Sequence, residues 1–311
     1  MPMSASNAWT IRALVLGAFA VTVWLCGPSA MTALASRFAP SEHKSPPVEL
    51  DRVGFVERPE WLTPPLLLAV STALSPWLSG QLGLLDDAEA RQLREQLATV
   101  PWVREVLIER QFPDRLRLRC GLRRPVLAVR AGDGTPLCLV DQGGVMLPWV
   151  DTELPLVRLH AEGGRPSMTV VAGERAPDRR VSAAAAIAVE WREQLAPLVP
   201  QCPPLLEIDT TNLGERWVQG PEYPEVRVLL GRGDGAPVVF GYGRPVDSPL
   251  PRVPVQVKAT VLGQVLAKHP RLDGLVAGDL RFARRWADYL QPRAPGVPDP
   301  NGPWKELPLP R

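Results

Sequence analysis

The chain of 311 residues has no large excess of charge of one sign: 35 Lys and Arg against 33 Asp and Glu leave a formal net charge of +2. Binding to nucleic acid ordinarily needs a basic domain or stripe to meet the phosphates, so no nucleic acid is expected as a partner. Histidine and cysteine are scarce and badly spaced for metal. Cys26, Cys120, Cys138 and Cys202 show no Cys-x-x-Cys pattern, and His43, His160 and His269 are too far apart to pair on one helix face. Neither a metal centre nor a cofactor is expected. Also missing are the Gly-x-Ser-x-Gly elbow, His-Glu-x-x-His, the phosphate-binding P-loop and an Asp-x-Asp-x-Asp-Gly calcium loop. The chain is read as non-enzymatic.

What is present is an ordinary globular composition, 45% apolar and 22% charged, with room for two domains. The 36 prolines concentrate between elements and in a tail over residues 291–311, which is expected to be extended. Residues 13–35 contain no charged side chain. At about 1.5 Å per residue they are long enough to cross a hydrocarbon core of about 30 Å. The reading followed here is a cytoplasmic tail at 1–12, a transmembrane helix at 13–35 and a linker at 36–47. The alternative is a cleaved signal peptide, since Ala33-Leu34-Ala35 resembles a cleavage site. Either way the bulk of the chain is expected on the far side of the membrane.

Beyond the linker, residues 48–130 read as a small α+β domain in the order β-α-α-β-β. A strand-like run begins at Val48. Thr63-Pro64-Pro65 opens a helix that continues, apolar on most faces and mostly buried, through Leu66–Leu78. Asp86 and Glu89 have capping-box spacing ahead of a helix with Ala90, Leu93, Leu97 and Val100 on one face. Val103–Gln111 then forms a strand, Phe112-Pro113-Asp114 a turn, and Arg115–Arg130 one long strand. In that strand Leu116, Leu118, Cys120 and Leu122 face one way, and Arg115, Arg117, Arg119 and Arg123 the other. The arginine face is either a solvated surface or one that attracts acidic groups. Cys120 and Cys138 fall on neighbouring strands but not opposite each other, so no bridge is expected.

Residues 131–290 read as a β-rich domain. Its strands are Leu137–Asp141, Leu154–Leu159, Leu205–Asp209, Val226–Leu230, Val238–Tyr242 and Leu275–Phe282, the last resuming over Trp286–Leu290. Helices at Arg179–Leu195 and Val255–Lys268 pack on a mostly antiparallel sheet. The glycines at 231, 233 and 235 mark a hairpin turn rather than a phosphate loop.

One stretch is more specific. A helix followed by Pro101-Trp102-Val103-Arg104, then Arg110-Gln111-Phe112-Pro113-Asp114-Arg115-Leu116-Arg117-Leu118, resembles the POTRA-domain signature of the FtsQ/DivIB family of bacterial cell-division proteins. Arg124-Pro125-Val126 and Val140-Asp141-Gln142-Gly143-Gly144-Val145 continue it. The basic run Leu122-Arg123-Arg124 departs from the family, which carries an acidic residue before the proline. Lys258 in a helix and Gly278-Asp279-Leu280-Arg281-Phe282 resemble the elements that close the family's β domain. The resemblance implies a single-span scaffold of the inner membrane, N-terminus cytoplasmic, acting at the division septum. Its implied partners are the small single-span division proteins FtsB and FtsL, other divisome proteins and the membrane itself. It further implies partner binding by strand addition on the last strands of the β domain. Arg281 is then a charge partner, Phe282 an apolar anchor and Arg216 a preceding basic residue. The competing reading is a periplasmic POTRA-containing chaperone or transport accessory.

Overall fold

The computed structural model describes residues 47–49, 59–78, 81–83, 87–111, 115–160, 168–216, 218–220, 223–233 and 236–292. The expected span at 13–35, the linker up to residue 46 and the tail beyond residue 292 lie outside these. Among the described residues no helix is long and apolar enough to cross a membrane.

The first part contains β1 (Pro47–Glu49), α1 (Pro64–Leu78), β2 (Gln81–Gly83), α2 (Asp87–Ala98), β3 (Val103–Gln111) and β4 (Arg115–Leu122). Two prolines start α1, where their missing N–H groups and fixed φ cost nothing. The helix is less buried than its composition suggests. Leu62, Leu66, Val70 and Leu74, four residues apart, form one buried stripe, while Leu68 on another face is 68% exposed. An apolar helix buries only the face that has a neighbour. Leu93, Leu97 and Val100 of the α2 segment meet that stripe, and Trp102 closes the core at 1% exposure. β1 pairs with β2 and, among the described residues, with neither strand of the β3–β4 hairpin.

In that hairpin Val106 lies opposite Cys120 and Ile108 opposite Leu118, on the core side. On the outer side Leu107 lies opposite Arg119 and Glu109 opposite Arg117. Arg119 pairs with Glu109 at 3.4 Å. At Arg119 the outer side therefore carries both signs of charge.

The long strand expected over Arg115–Arg130 is two strands. β4 ends at Leu122, and β5 (Pro125–Ala131) enters a different sheet. The break is held by Arg123, whose N–H donates to the Trp102 carbonyl at 2.8 Å and whose guanidinium donates to Asp141 Oδ2 at 3.0 Å. Asp141 Oδ1 accepts from the N–H groups of Gly143 and Val145 at 2.8 and 2.9 Å. Arg123 thus answers the buried acid of the Val-Asp turn. Pro125, with no N–H to offer a ladder, suits the first position of the new strand.

The larger sheet has nine strands and mixed direction, completed by β6 (Pro136–Asp141), β7 (Met146–Leu147), β8 (Leu156–Leu159), β9 (Leu205–Asp209), β10 (Val226–Gly231), β11 (Pro237–Gly243), β12 (Leu275–Asp279) and β13 (Gln291–Pro292). Their spatial order is β13-β12-β11-β10-β9-β8-β5-β6-β7. β8 runs parallel to both β5 and β9, and β11 parallel to β12; the remaining junctions are antiparallel. Helices α3 (Arg179–Glu190) and α4 (Val255–Lys268) cover one face, with Ile187, Leu262 and Val265 packed on Val157, Ile208, Val228 and Phe240. Alternation splits β5 and β6 between two cores: Val129, Cys138 and Val140 belong to the helix-covered core, Ala128 and Leu139 to the core under α1.

Three details differ from the sequence reading. Trp191–Leu195 is one π-helical turn rather than more α-helix. The last long strand stops at Asp279 instead of Phe282, and Trp286–Tyr289 is a 3₁₀ turn rather than a strand. The two sheet edges are also unequal. At β7, Met146 exchanges backbone hydrogen bonds with Glu174 and Gly173 of the following loop, both at 2.8 Å. β13 has no strand beyond it among the described residues.

Candidate partner-binding site

Arg281 and Phe282 sit just past the end of β12, in a turn whose geometry begins with two glycines on β11. A Cβ on Gly241 would stand 2.5 Å from Asp279 Oδ2. Only the bare backbone lets the Asp279 carboxylate lie flat against β11. Gly243, at φ +106°, adopts a conformation that L side chains rarely take, and Arg281 Cδ lies 3.2 Å from where its Cβ would be. The Leu280 N–H donates to the Gly241 carbonyl at 2.9 Å and places Leu280 in the core.

The chain then turns outward. Asp279 receives the Arg281 guanidinium as a fork, Nε at 3.0 Å from Oδ1 and Nη2 at 2.7 Å from Oδ2, and accepts the Arg281 backbone N–H at 2.9 Å. Phe282 is half-buried and outside both cores; its ring stacks on Tyr289 at 4.2 Å, and the Arg281 guanidinium lies 4.9 Å from its centroid. Leu280 and Phe282 would share a side of a regular strand. Ending the strand at Asp279 separates them, one inward and one to the surface. Gly241→Ala is expected to overpack this corner and cost about 1–3 kcal/mol, read by urea unfolding.

Arg281 and Phe282 form one rim of a pocket of about 200 Å³, whose other walls include Glu215, Tyr223, Arg244 and Arg252. Asn212, wholly buried, ties down the loop on one side. Its amide donates to the carbonyls of Val218 and Pro224 at 3.0 and 3.2 Å and accepts from the Val218 N–H at 2.9 Å. Arg216 is exposed on this loop, next to Glu215 but not itself in the pocket wall. The structure therefore brings Arg281 and Phe282 together and sets Arg216 on an adjoining segment.

Beneath the pocket lies a group of which the sequence reading marks Lys258 alone, and that by resemblance. Arg252 Nη2 donates to both oxygens of Glu190 at 2.9 Å, and Tyr242 donates to Glu190 Oε1 at 2.5 Å. Lys258, 1% exposed, holds its ammonium 3.5 Å from the same oxygen and 3.4 Å from the centre of the Tyr242 ring. Burial alone would raise the Glu190 carboxyl; hydrogen bonds from Tyr242 and Arg252 and the charges of Lys258 and Arg252 outweigh it and hold it below the ordinary range. Burial, together with the Arg252 charge and against the pull of Glu190, lowers Lys258 to about 8. Desolvation and the adjacent carboxylate push the Tyr242 phenol far above its usual value. The only sequence signals were a glutamate ending the apolar run Ala183–Val189 and a lysine among Val255, Ala259 and Leu262.

Among the described residues there is no cluster of His, Cys, Asp and Glu that could hold a metal ion. Cys120, Cys138 and Cys202 are free thiols, and burial raises Cys138 to about 12 and Cys202 to about 11.

The protein is of the α+β class, built on a nine-stranded mixed sheet. No family model matches the chain, and no curated protein is significantly similar to it.

Proposed function

We propose that this protein is a non-enzymatic, single-span scaffold of the bacterial divisome, with its folded part outside the cytoplasm at the division septum. It holds small single-span division proteins of the FtsB and FtsL type and joins them to other divisome components. The observation that carries this reading is the pairing of a pocket with a sheet edge beyond which, among the described residues, no further strand lies. Arg281 and Phe282 rim the pocket, and β13, two exposed residues long, ends the sheet beside them. An incoming extended segment would continue the ladder at β13, set an apolar side chain on the Phe282–Tyr289 stack and bring a carboxylate to the arginines. The protected β7 edge offers nothing comparable.

The test is photocrosslinking in living cells from a probe replacing Phe282 in the full chain, with the adduct identified by mass. A small single-span coiled-coil division protein is the expected product. Adducts with outer-membrane precursors instead, or undisturbed septation after depletion of the protein, would overturn the proposal.

A further inference from the structure

Helices α3 and α4 cover one face of the large sheet, and the core under α1 covers part of the other, spreading beneath β7, β6 and β5 and reaching Leu156 of β8. Farther across, the face opposite α3 and α4 carries Leu229, Val239 and Ala277, side by side on β10, β11 and β12. All three are half-buried and belong to neither core. One step along the same strands Gly231 lies opposite Pro237, and Pro204 and Leu206 pack where a Gly231 side chain would point. The row carries no charge between Glu207 of β9 and Gln291 of β13, and Glu207 already accepts from Arg158 Nε at 3.0 Å. Contiguous apolar surface of this kind marks a contact face.

The chain itself supplies an occupant. It leaves the sheet after β13, the strand next to Ala277, with residues 293–311 still to run. Six of those nineteen residues are proline, so the segment lacks N–H groups to extend the ladder and favours a polyproline II course. Its bulkiest apolar residues, Trp304, Leu307 and Leu309, gather near the end. At three residues per turn, Trp304 and Leu307 fall on one side, about 9 Å apart. Two strand spacings are about 9.6 Å, so a segment crossing the strands sets these side chains on strands two apart. The twelve residues from Pro292 to Trp304 reach up to about 37 Å in that conformation. β11 lies only about 10 Å from β13, and Gly296 and Asn301-Gly302 supply the bends that bring the chain onto the face.

We propose that residues 303–310 dock as a polyproline II segment across this stripe in the same molecule, with Trp304 over Val239 and Leu229, and Leu307 over Leu206. The contact buries the one tryptophan of the tail, whose large apolar area makes it the anchor. The inference uses no residue of the pocket at Arg281 and does not rest on the scaffold reading.

The experiment places a photocrosslinking amino acid at position 304 of the full chain, mixes this protein with an isotope-labelled copy and maps the crosslinked peptides by mass. Links within one copy, to peptides that hold Leu229, Val239 or Leu206, are expected. In parallel, carbene footprinting compares the natural protein with the Trp304→Ala, Leu307→Ala double variant and with a chain ending at Pro292. Labelling of Leu229 and Val239 should rise severalfold in both, while labelling of Leu68 on α1 stays the same. Links that join labelled and unlabelled copies would overturn the proposal, because the stripe would then serve a second copy. Links to a co-purifying protein or to other parts of the chain would do the same, as would footprints that neither variant changes. The crosslinking experiment at Phe282 can succeed or fail independently of every one of these results.

Discussion

Glu190→Leu is expected to lower the free energy of unfolding by about 3–5 kcal/mol, measured by denaturant titration, because it leaves two cations inside the protein without their shared anion. Lys258 is almost fully enclosed and Arg252 keeps only 21% of its side chain exposed. The Tyr242 hydroxyl would lose its acceptor as well. Lys258→Met should behave in the opposite manner. Glu190 would keep Tyr242 and Arg252, while the ammonium, whose desolvation outweighs its attraction to Glu190, would be gone. That variant is expected to be as stable as the natural protein or more so near neutral pH. A cluster held together mainly by Lys258 would give the reverse order.

The same cluster fixes a pH dependence. Lys258 titrates near 8 when folded and at its ordinary, higher value when unfolded. Between those values the unfolded chain binds more protons, so this residue adds stability as pH rises from about 8 toward 10. Tyr242 acts in the other direction. Its folded value lies above the ordinary 10, so above that pH the unfolded chain has lost a proton that the folded protein keeps, and stability falls. Comparison with Lys258→Met should remove the rise, and comparison with Tyr242→Phe should remove part of the fall.

Asp141→Ala is expected to cost about 3 kcal/mol. The carboxylate accepts two backbone N–H groups and the Arg123 guanidinium, and its side chain is 6% exposed. Removing it strands the buried Val145 N–H and the half-buried Arg123 guanidinium, at roughly 1–3 kcal/mol each before relaxation, while the exposed Gly143 can turn its N–H to water. Asp141→Asn should cost less, since the amide oxygen can still accept from the turn. Equal losses for the two variants would show that the corner depends on packing rather than on these hydrogen bonds.

Much of the fold was legible wherever one face of an element meets one core. Leu205–Asp209 and Val255–Lys268 coincide with the observed elements residue for residue. Legibility failed where a local pattern continued through a change of partner. The apolar alternation of 115–130 does not pause at Arg123, and only a pair with Asp141, 18 residues away, shows that the chain turns there. The ion pair on the arginine row was not legible for a related reason: Glu109, which meets Arg119, belongs to the other strand of the hairpin. At the candidate site, Arg281 and Phe282 were marked by resemblance alone. Glu190, Tyr242, Arg252 and Lys258 come from three elements and a loop, a constellation that no sequence spacing records.

The sharing of β5 and β6 between two cores has a mechanical consequence. Leu139, fully buried under α1, and Cys138 and Val140, fully buried on the other side, are consecutive residues of one strand. The two halves of the molecule cannot part as beads on a string, because separating them would strip one surface of that strand. Tension entering ahead of α1 would pass through it into the middle of the nine-stranded sheet and be borne across its ladders. A protein tethered at one end and gripped at the far edge would act as a stiff strut between its attachments.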